Sequence, residues 1–367
     1  MSGTPLLAEL RALIAQNGPI PVERYMALCL GHPLHGYYTT RDPLGAAGDF
    51  TTAPEISQIF GELLGLWAAE VWHGMGRPSP CRVVELGPGR GTLIADALRA
   101  IRAALPPFAE ALDLHLVETS PVLRAAQAAR LAAIGREAAW HARIEDVPEG
   151  PAIVLANEFF DALPVRQFAR GAGAWHERRI GLDPEGGGLV VGLDPDPTPE
   201  IAAAAPEGAV LTLPSAALAA MRAIAGRLAR QGGALLAIDY GEATLGLTDT
   251  LQAVSRHRAV GILDAPGETD LTVPVDFGAL ARAAREAGAA LHGPVPQRDF
   301  LLALGLAQRA ERLAARATPD QARAVAEAAA RLTDPAPTGM GRLFKVLGVS
   351  DAGMAGLPAL PRSTLSR

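Results

Sequence analysis

A chain of 367 residues with 49% hydrophobic and 20% charged positions is too apolar to be disordered and long enough to bury a sizeable core. Its net charge of −6 excludes a nucleic-acid binder held by phosphate contacts, and two cysteines exclude a disulfide framework or a structural zinc centre. Aromatic residues make up 5% of positions, so the core has to be built from Ala, Leu, Val and Ile.

Residues 1–75 read as helical with loops between. Leu6, Leu7, Leu10, Leu13 and Ile14 fall at helical spacing until Asn17-Gly18-Pro19 stops them. Val22, Met26 and Leu30 continue in a second short helix up to Gly31, and the stretches His32 to Tyr38 and Gly48 to Thr52 look irregular. Thr52-Ala53-Pro54-Glu55 has the pattern of a capping box that opens one amphipathic helix carrying Ile56, Ile59, Phe60, Leu63, Leu64, Trp67 and Val71.

From Cys81 the period changes. Arg82 to Leu86 is a short apolar strand that runs into a glycine loop and then a helix from Thr92 to Ala104. Leu114 to Glu118 is a second strand, Pro121 to Ala133 a second helix, and Trp140 to Ile144 a weaker third strand. Ala152 to Ala156 is a fourth strand and Ala234 to Asp239 a fifth. This alternation predicts an α/β fold with a mainly parallel sheet. Between the fourth and fifth strands, Val165 to Ala169, Trp175 to Ile180 and Leu189 to Leu193 look like a β-meander, followed by an Ala-rich helix over 215–230. Residues 241–275 read as a long loop, 276–288 and 300–332 as helix, and Leu343 to Leu347 as a last strand. The expected organisation is a helical region over 1–75 with lid loops, a domain over 76–350 with insertions at about 165–213 and 298–333, and a loose tail over 351–367. No apolar stretch is long enough to span a membrane, and the N-terminus lacks the pattern of a signal peptide, so a cytoplasmic protein is expected.

Gly87-Pro88-Gly89-Arg90-Gly91 joins the first strand to its helix, and glycines there let the backbone approach a ligand closely. The dinucleotide fingerprint needs its third glycine where Thr92 stands. Glu85 just ahead of the loop would repel a phosphate and suits a ligand with an ammonium group. Glu118 ends the second strand, where an acidic side chain can accept both hydroxyls of a ribose; alone it can equally be a solvated strand end. Together these features resemble a class I S-adenosylmethionine-dependent methyltransferase. That resemblance implies cofactor contacts from Glu85, Gly87, Gly89, Gly91, Glu118 and Ser120, with Trp140, His141 and Ile144 near the adenine. After the fourth strand comes Asn157-Glu158-Phe159-Phe160-Asp161-Ala162-Leu163-Pro164, where methyltransferases face the acceptor. Asn157 can bond to an amine and Glu158 and Asp161 can hold a cation; helix capping is the plainer role for Asn157 or Asp161.

Longer segments resemble the MidA-type methyltransferase family, which includes a mitochondrial assembly factor of respiratory complex I. They are Gly36-Tyr37-Tyr38, Gly48 to Ser57, Phe60-Gly61-Glu62, Glu85 to Gly91, Glu118 to Pro121 and Asn157 to Val165. Further along, Glu177-Arg178, Asp239-Tyr240-Gly241, Asp249 to Gln252, Asp270-Leu271-Thr272, Gln297, Phe300-Leu301 and Phe344-Lys345-Val346 continue the match. The family implies a seven-stranded methyltransferase sheet with added helices, and protein arginine methylation on the quinone-proximal subunit of complex I. In that reaction Glu158 and Asp161 would clamp the guanidinium as a fork and Asn157 would orient it, with Asp49, Thr52, Glu55 and His257 as outer candidates. Gly48 to Ser57 would fold over the site as a lid. One departure is Val273-Pro274-Val275, where the family favours a His ahead of Asp276-Phe277. The rival readings are a cofactor-binding assembly chaperone and a small-molecule methyltransferase; a nicotinamide oxidoreductase is disfavoured by the glycine spacing and by Glu85.

Overall fold

The computed structural model describes residues 3–40, 52–255 and 258–363. Of the residues singled out above, Asp49 and His257 lie outside the described residues, as does the 48–51 part of the Gly48 to Ser57 segment.

Apolar runs bounded by glycine and helix caps fold into a central sheet. Its strands are β1 (Cys81–Leu86), β2 (Leu112–Val117), β3 (Ala139–His141), β4 (Ala152–Asn157), β5 (Gly233–Glu242), β6 (Ala290–Pro296) and β7 (Phe344–Ser350). They lie in the order β6-β7-β5-β4-β1-β2-β3, and the two-residue strand Val275–Asp276 adds on beside the end of β5. Pairings among β1 to β5 are parallel, and β7 runs antiparallel between β5 and β6. The order reverses between β4 and β1, so a crevice opens at their carboxyl ends, where such sheets bind ligands.

Alternate side chains of each strand feed two cores, as the strand period of two requires. Val83, Leu116, Ile153 and Leu236 face the helices α5 (Gln58–Gly74) and α6 (Thr92–Ala104), while Val84, Val154 and Leu235 face α9 (Ser215–Gln231) and α10 (Phe277–Glu286). Numbered with these in chain order are α1 (Pro5–Asn17), α2 (Val22–Gly31), α3 (Tyr37–Thr40), α4 (Ala53–Ile56), α7 (Pro106–Ala111) and α8 (Pro121–Ala133). The late helices are α11 (Gln297–Ala303), α12 (Leu306–Ala314), α13 (Pro319–Leu332) and α14 (Met340–Leu343). Arg309 of α12 donates to the buried Glu62 of α5 at 2.8 Å, which ties the late helices to the first core. The meander forms its own antiparallel sheet from Arg166–Gly171, Ala174–Leu182, Leu189–Pro197 and Val210–Leu213, joined by Ile20–Pro21 ahead of α2. Leu6, Leu10, Tyr25 and Met26 pack there with Ile180, Leu271 and Val273 in a separate core. Cys29 and Cys81 are buried free thiols, and burial pushes both up to about 12, so neither is a nucleophile.

Four expectations are corrected. Residues 241–275 are not one long loop: Gln252–Ser255, Arg258–Val260 and Asp270–Thr272 make a three-stranded sheet. The strand β6 gives no strand signal in the sequence, because Gly293-Pro294 interrupts its apolar run at a bulge between His292 and Val295. Thr52 makes no side-chain cap bond, and the helix expected from Ala53 onward is broken at Ser57, which caps α5 through Ile59 N–H at 3.2 Å. The segment after β7 is no loose tail as far as it is described: Met354, Leu357 and Leu360 are buried in the first core and Trp67 Nε1 donates to Pro358 O at 3.2 Å. Three apolar residues among Gly and Pro suffice to anchor it, whatever its loop-like composition.

Candidate active site

The crevice at the carboxyl ends of β1, β2 and β4 widens into a cavity of about 1120 Å³. Its two ends differ in chemistry. At one end lie Glu85, the glycine loop and Glu118; at the other lie Asn157, Glu158, Asp161, Tyr240, Asp270 and Tyr38.

The glycine loop turns through left-handed backbone at Gly87 (φ 58°), Gly89 (φ 52°) and Gly91 (φ 73°), which L side chains rarely adopt. Gly87 and Gly89 line the cavity, whereas Gly91 caps α6 and faces the Gln127 side chain on α8. Glu85 is 3% exposed; the Ile94 N–H donates to it, but Oε2 has no partner. Burial holds its carboxyl well above the usual range, with the charge on Glu118 adding to the effect. An orphaned carboxylate oxygen in that position fits an ammonium group, which would satisfy it and favour its charged form. Glu118 Oε1 accepts from the Thr119 and Ser120 N–H groups, both at 2.8 Å, and Oε2 accepts from Gln127 at 3.2 Å. Burial again raises its carboxyl, against these three hydrogen bonds. The carboxylate is thus fixed at the cavity wall.

Gln127 was missed in the sequence reading, since one amide in an Ala-rich helix gives no signal. Its Nε2 donates to Gly89 O at 2.7 Å as well as to Glu118, and its Oε1 accepts from Trp140 Nε1 at 2.8 Å. One fully buried amide therefore couples the glycine loop to the ribose-side carboxylate. Gln127→Leu should raise the dissociation constant for S-adenosyl-homocysteine about tenfold, read by calorimetry. An unchanged constant would show that backbone packing alone holds the loop. Neither Ser120 nor Trp140 lines the cavity: Ser120 is fully buried and caps α8 through Leu123 N–H, and Trp140 is turned to Gln127. His141 points to His115, Nε2 to Nδ1 at 3.0 Å, while Ile144 alone of the adenine-side candidates lines the cavity, beside Arg143 and Glu145.

At the other end, β4 exits into Glu158, whose φ of 52° is rare for a residue with a side chain. Strain of this kind persists where surrounding structure enforces it and gathers at functional sites. Asn157 Nδ2 and Ala53 N–H both donate to Glu158 Oε1, at 3.0 and 3.3 Å, which leaves Oε2 to the cavity. Burial raises this carboxyl to about 7, and those two hydrogen bonds oppose the shift. Asn157 Oδ1 is buried without a partner, so Asn157 also lacks a capping role. Asp161 is buried, and burial together with Asp239 and Asp270 holds its carboxyl well above the usual range. Asp239 stands behind it: Oδ2 accepts from Phe160 and Asp161 N–H at 3.0 and 3.2 Å, and Oδ1 from Tyr240 N–H at 2.9 Å. Its oxygens are occupied, so Asp239 shapes the turn, while Asp161 lines the cavity.

Thr52 and Glu55 both line the cavity. Glu55 completes no capping box; it accepts from Thr92 Oγ1 and pairs with Arg90 of the glycine loop at 3.6 Å. The short helix α4 thus touches the glycine loop through Glu55 and Glu158 through Ala53. Among the described residues, neither Glu158 nor Asp161 forms an ion pair with a basic side chain, and no group of His, Cys, Asp or Glu is placed to hold a metal ion. Two acidic groups facing an open cavity without a counter-ion call for a cationic ligand.

Residues 63–295 match the S-adenosyl-L-methionine-dependent methyltransferase family. The chain is 40% identical to the Drosophila melanogaster "Protein arginine methyltransferase NDUFAF7 homolog, mitochondrial" over 94% of its length and 84% of that protein's. It is 38% identical to the Homo sapiens "Protein arginine methyltransferase NDUFAF7, mitochondrial" over 83% of its length and 74% of that protein's. Among solved structures, a Burkholderia thailandensis protein bound to S-adenosyl-homocysteine superposes with a TM-score of 0.82 at 33% identity, covering 96% of this chain and 93% of that one.

Proposed function

The chain belongs to the MidA-type family of S-adenosyl-L-methionine-dependent methyltransferases, and on that premise we propose that its acceptor is an arginine guanidinium of a protein, on the quinone-proximal subunit of respiratory complex I. The observation that carries the reading is the pair of a partly buried Glu158 and a buried Asp161, both lining one cavity and lacking any cationic partner among the described residues. Bound S-adenosylmethionine supplies a sulfonium methyl, an electrophile that a nitrogen lone pair can displace in line. Glu85, the Gly87 and Gly89 backbone and Glu118 would hold it.

A guanidinium has a pKa above about 12 and is delocalised, so its nitrogens are poor nucleophiles. Carboxylates on two of its nitrogens draw the positive charge toward themselves and leave the lone pair of the third more available. Glu158 Oε2 and the Asp161 carboxylate are disposed for those two contacts, and Asn157 Oδ1 accepts a further N–H. The proton lost from the attacking nitrogen goes to one of these carboxylates, whose raised pKa makes it a competent base. The reading carries a cytoplasmic location with it, the counterpart of the mitochondrial location in the relatives' names. Among the described residues no helix is long and apolar enough to cross a membrane.

The test incubates the purified protein and methyl-labelled S-adenosylmethionine with that subunit from the same organism, and maps label by mass spectrometry. Label on one arginine establishes the acceptor. Tight cofactor binding with no label on any arginine sinks the arginine reading and leaves an assembly chaperone or a small-molecule acceptor.

A further inference from the structure

A single turn of helix joins the two ends of the cavity. α4 has four residues and no side-chain cap from Thr52, so its own hydrogen bonds cannot hold it in place. Contacts outside it do so. Ala53 is fully buried in the first core, and its N–H donates to Glu158 Oε1 at 3.3 Å across 105 positions of sequence. Two residues on, Glu55 reaches the glycine loop: Oε1 accepts from Thr92 Oγ1, and Oε2 lies 3.6 Å from Arg90 Nη1. Thr92 is the first residue of α6 and follows Gly91, the last glycine of the loop. Thr52, Glu55, Thr92 and Glu158 all line the cavity. Both oxygens of Glu55 are thus engaged at the loop rather than offered to an acceptor, which sets its role apart from that of an outer substrate contact.

We infer that Glu55 is a positioning residue for methyl transfer: anchored on Thr92 and Arg90, it fixes α4 so that Ala53 N–H engages Glu158 Oε1 and Oε2 is the oxygen left to the acceptor. The inference rests on the reading of Glu158 as an acceptor-side carboxylate and deepens it, since the loop assigned to the cofactor then also sets the geometry of the acceptor end. The place demands a carboxylate, in which one oxygen takes a hydroxyl proton while the other faces a guanidinium. Glu158 needs such support. Its φ of 52° is not its own preference, and Ala53 N–H and Asn157 Nδ2 are the two donors that fasten its side chain.

The experiment follows the ionisation of Glu158 in the full chain, by carbon-13 titration of carboxyl-labelled glutamate, with the signal identified by its loss in Glu158→Gln. It needs no acceptor. Ala53 N–H favours the charged form, so loosening α4 should move the Glu158 midpoint upward. Glu55→Ala should raise it by about half a pH unit or more. Thr92→Val, which removes a hydroxyl and no charge, should raise it in the same sense and carries the test should Glu55→Ala not fold. Thr92→Ser should leave it at the wild-type value. The double variant should rise no further than Glu55→Ala, because both residues act through one contact. An unmoved midpoint overturns the inference. So does a fall, which is what loss of a nearby negative charge produces with α4 in place, and so does additivity in the double variant. A rise in both single variants supports the positioning role even where no arginine of the complex I subunit is labelled; that result overturns the acceptor reading alone. A labelled arginine with an unmoved midpoint does the reverse.

Discussion

Glu158→Gln is expected to lower kcat for arginine methylation by about 100- to 1000-fold while S-adenosyl-homocysteine binds within about twofold of wild type. The variant keeps the shape of the side chain and the Oε1 acceptor for Ala53 N–H, so the strained turn at φ 52° has no new reason to collapse. What it removes is the charge facing the attacking nitrogen and the place where its proton goes. Glu85 on β1 and Glu118 just past β2, the groups proposed to hold the cofactor, share no hydrogen bond with Glu158. Equal losses in cofactor affinity and turnover would overturn the assignment.

The pH profile makes the same point independently. Burial holds Glu158 at about 7 against its ordinary 4.5, so the free protein carries it largely protonated below neutrality. A clamp needs the carboxylate, and kcat/KM for the acceptor should therefore rise with pH through about 7. Bound guanidinium favours the charged form, so the corresponding limb in kcat should lie at lower pH. In Glu158→Gln the limb should vanish; its persistence would assign the titration to another group. The sign for stability runs the other way. Between 4.5 and about 7 the folded state holds a proton here that the unfolded chain has released, so this group's contribution to stability is present at low pH and lost as pH rises through 7.

Gly89→Val should cost at least about 100-fold in S-adenosyl-homocysteine affinity, with the fold retained. A β-branched residue is disfavoured at the φ of 52° that Gly89 adopts, so the loop has to re-route. Re-routing also pulls Gly89 O away from Gln127, and with it the brace between the loop and Glu118. The apolar side chains of β1 and α6 lie in the core on the far side and keep their packing. Calorimetry with S-adenosyl-homocysteine and a melting curve separate the two effects. Retained affinity would mean that the ligand does not depend on this turn.

Local signals were legible and distant ones were not. The strand, glycine loop and helix from Arg82 to Ala104 carry their own period and breakers, and Glu118 and Asn157 to Asp161 follow strands that show in ten residues of sequence. Gln127 is an amide on a helix face, and only the folded chain reveals that Gly89, Glu118 and Trp140 meet around it. The Tyr38–Asp270 pair spans 232 positions, and both residues stood in matched segments without an assigned role. Glu55 has the spacing of a helix cap, but Arg90 and Thr92 offer its carboxylate charged and hydroxyl partners that the local backbone cannot match. Ser120 shows the reverse: beside Glu118 it reads as a contact, and its hydroxyl serves the first turn of α8.

The antiparallel strand β7 also governs how the polypeptide behaves before it is finished. Leu235 pairs with Val349 and Tyr240 with Phe344, so the edge of β5 waits for partners made about a hundred residues later. Until they dock, the buried row Leu235, Leu236 and Ile238 borders an open ladder of amide and carbonyl groups, which is a template for intermolecular β-pairing. Nascent or shortened chains that stop ahead of Phe344 are thus clients for chaperones and seeds for aggregates. Removing the chain from Phe344 onward should therefore lower solubility, and it also takes Phe344 from the cavity wall.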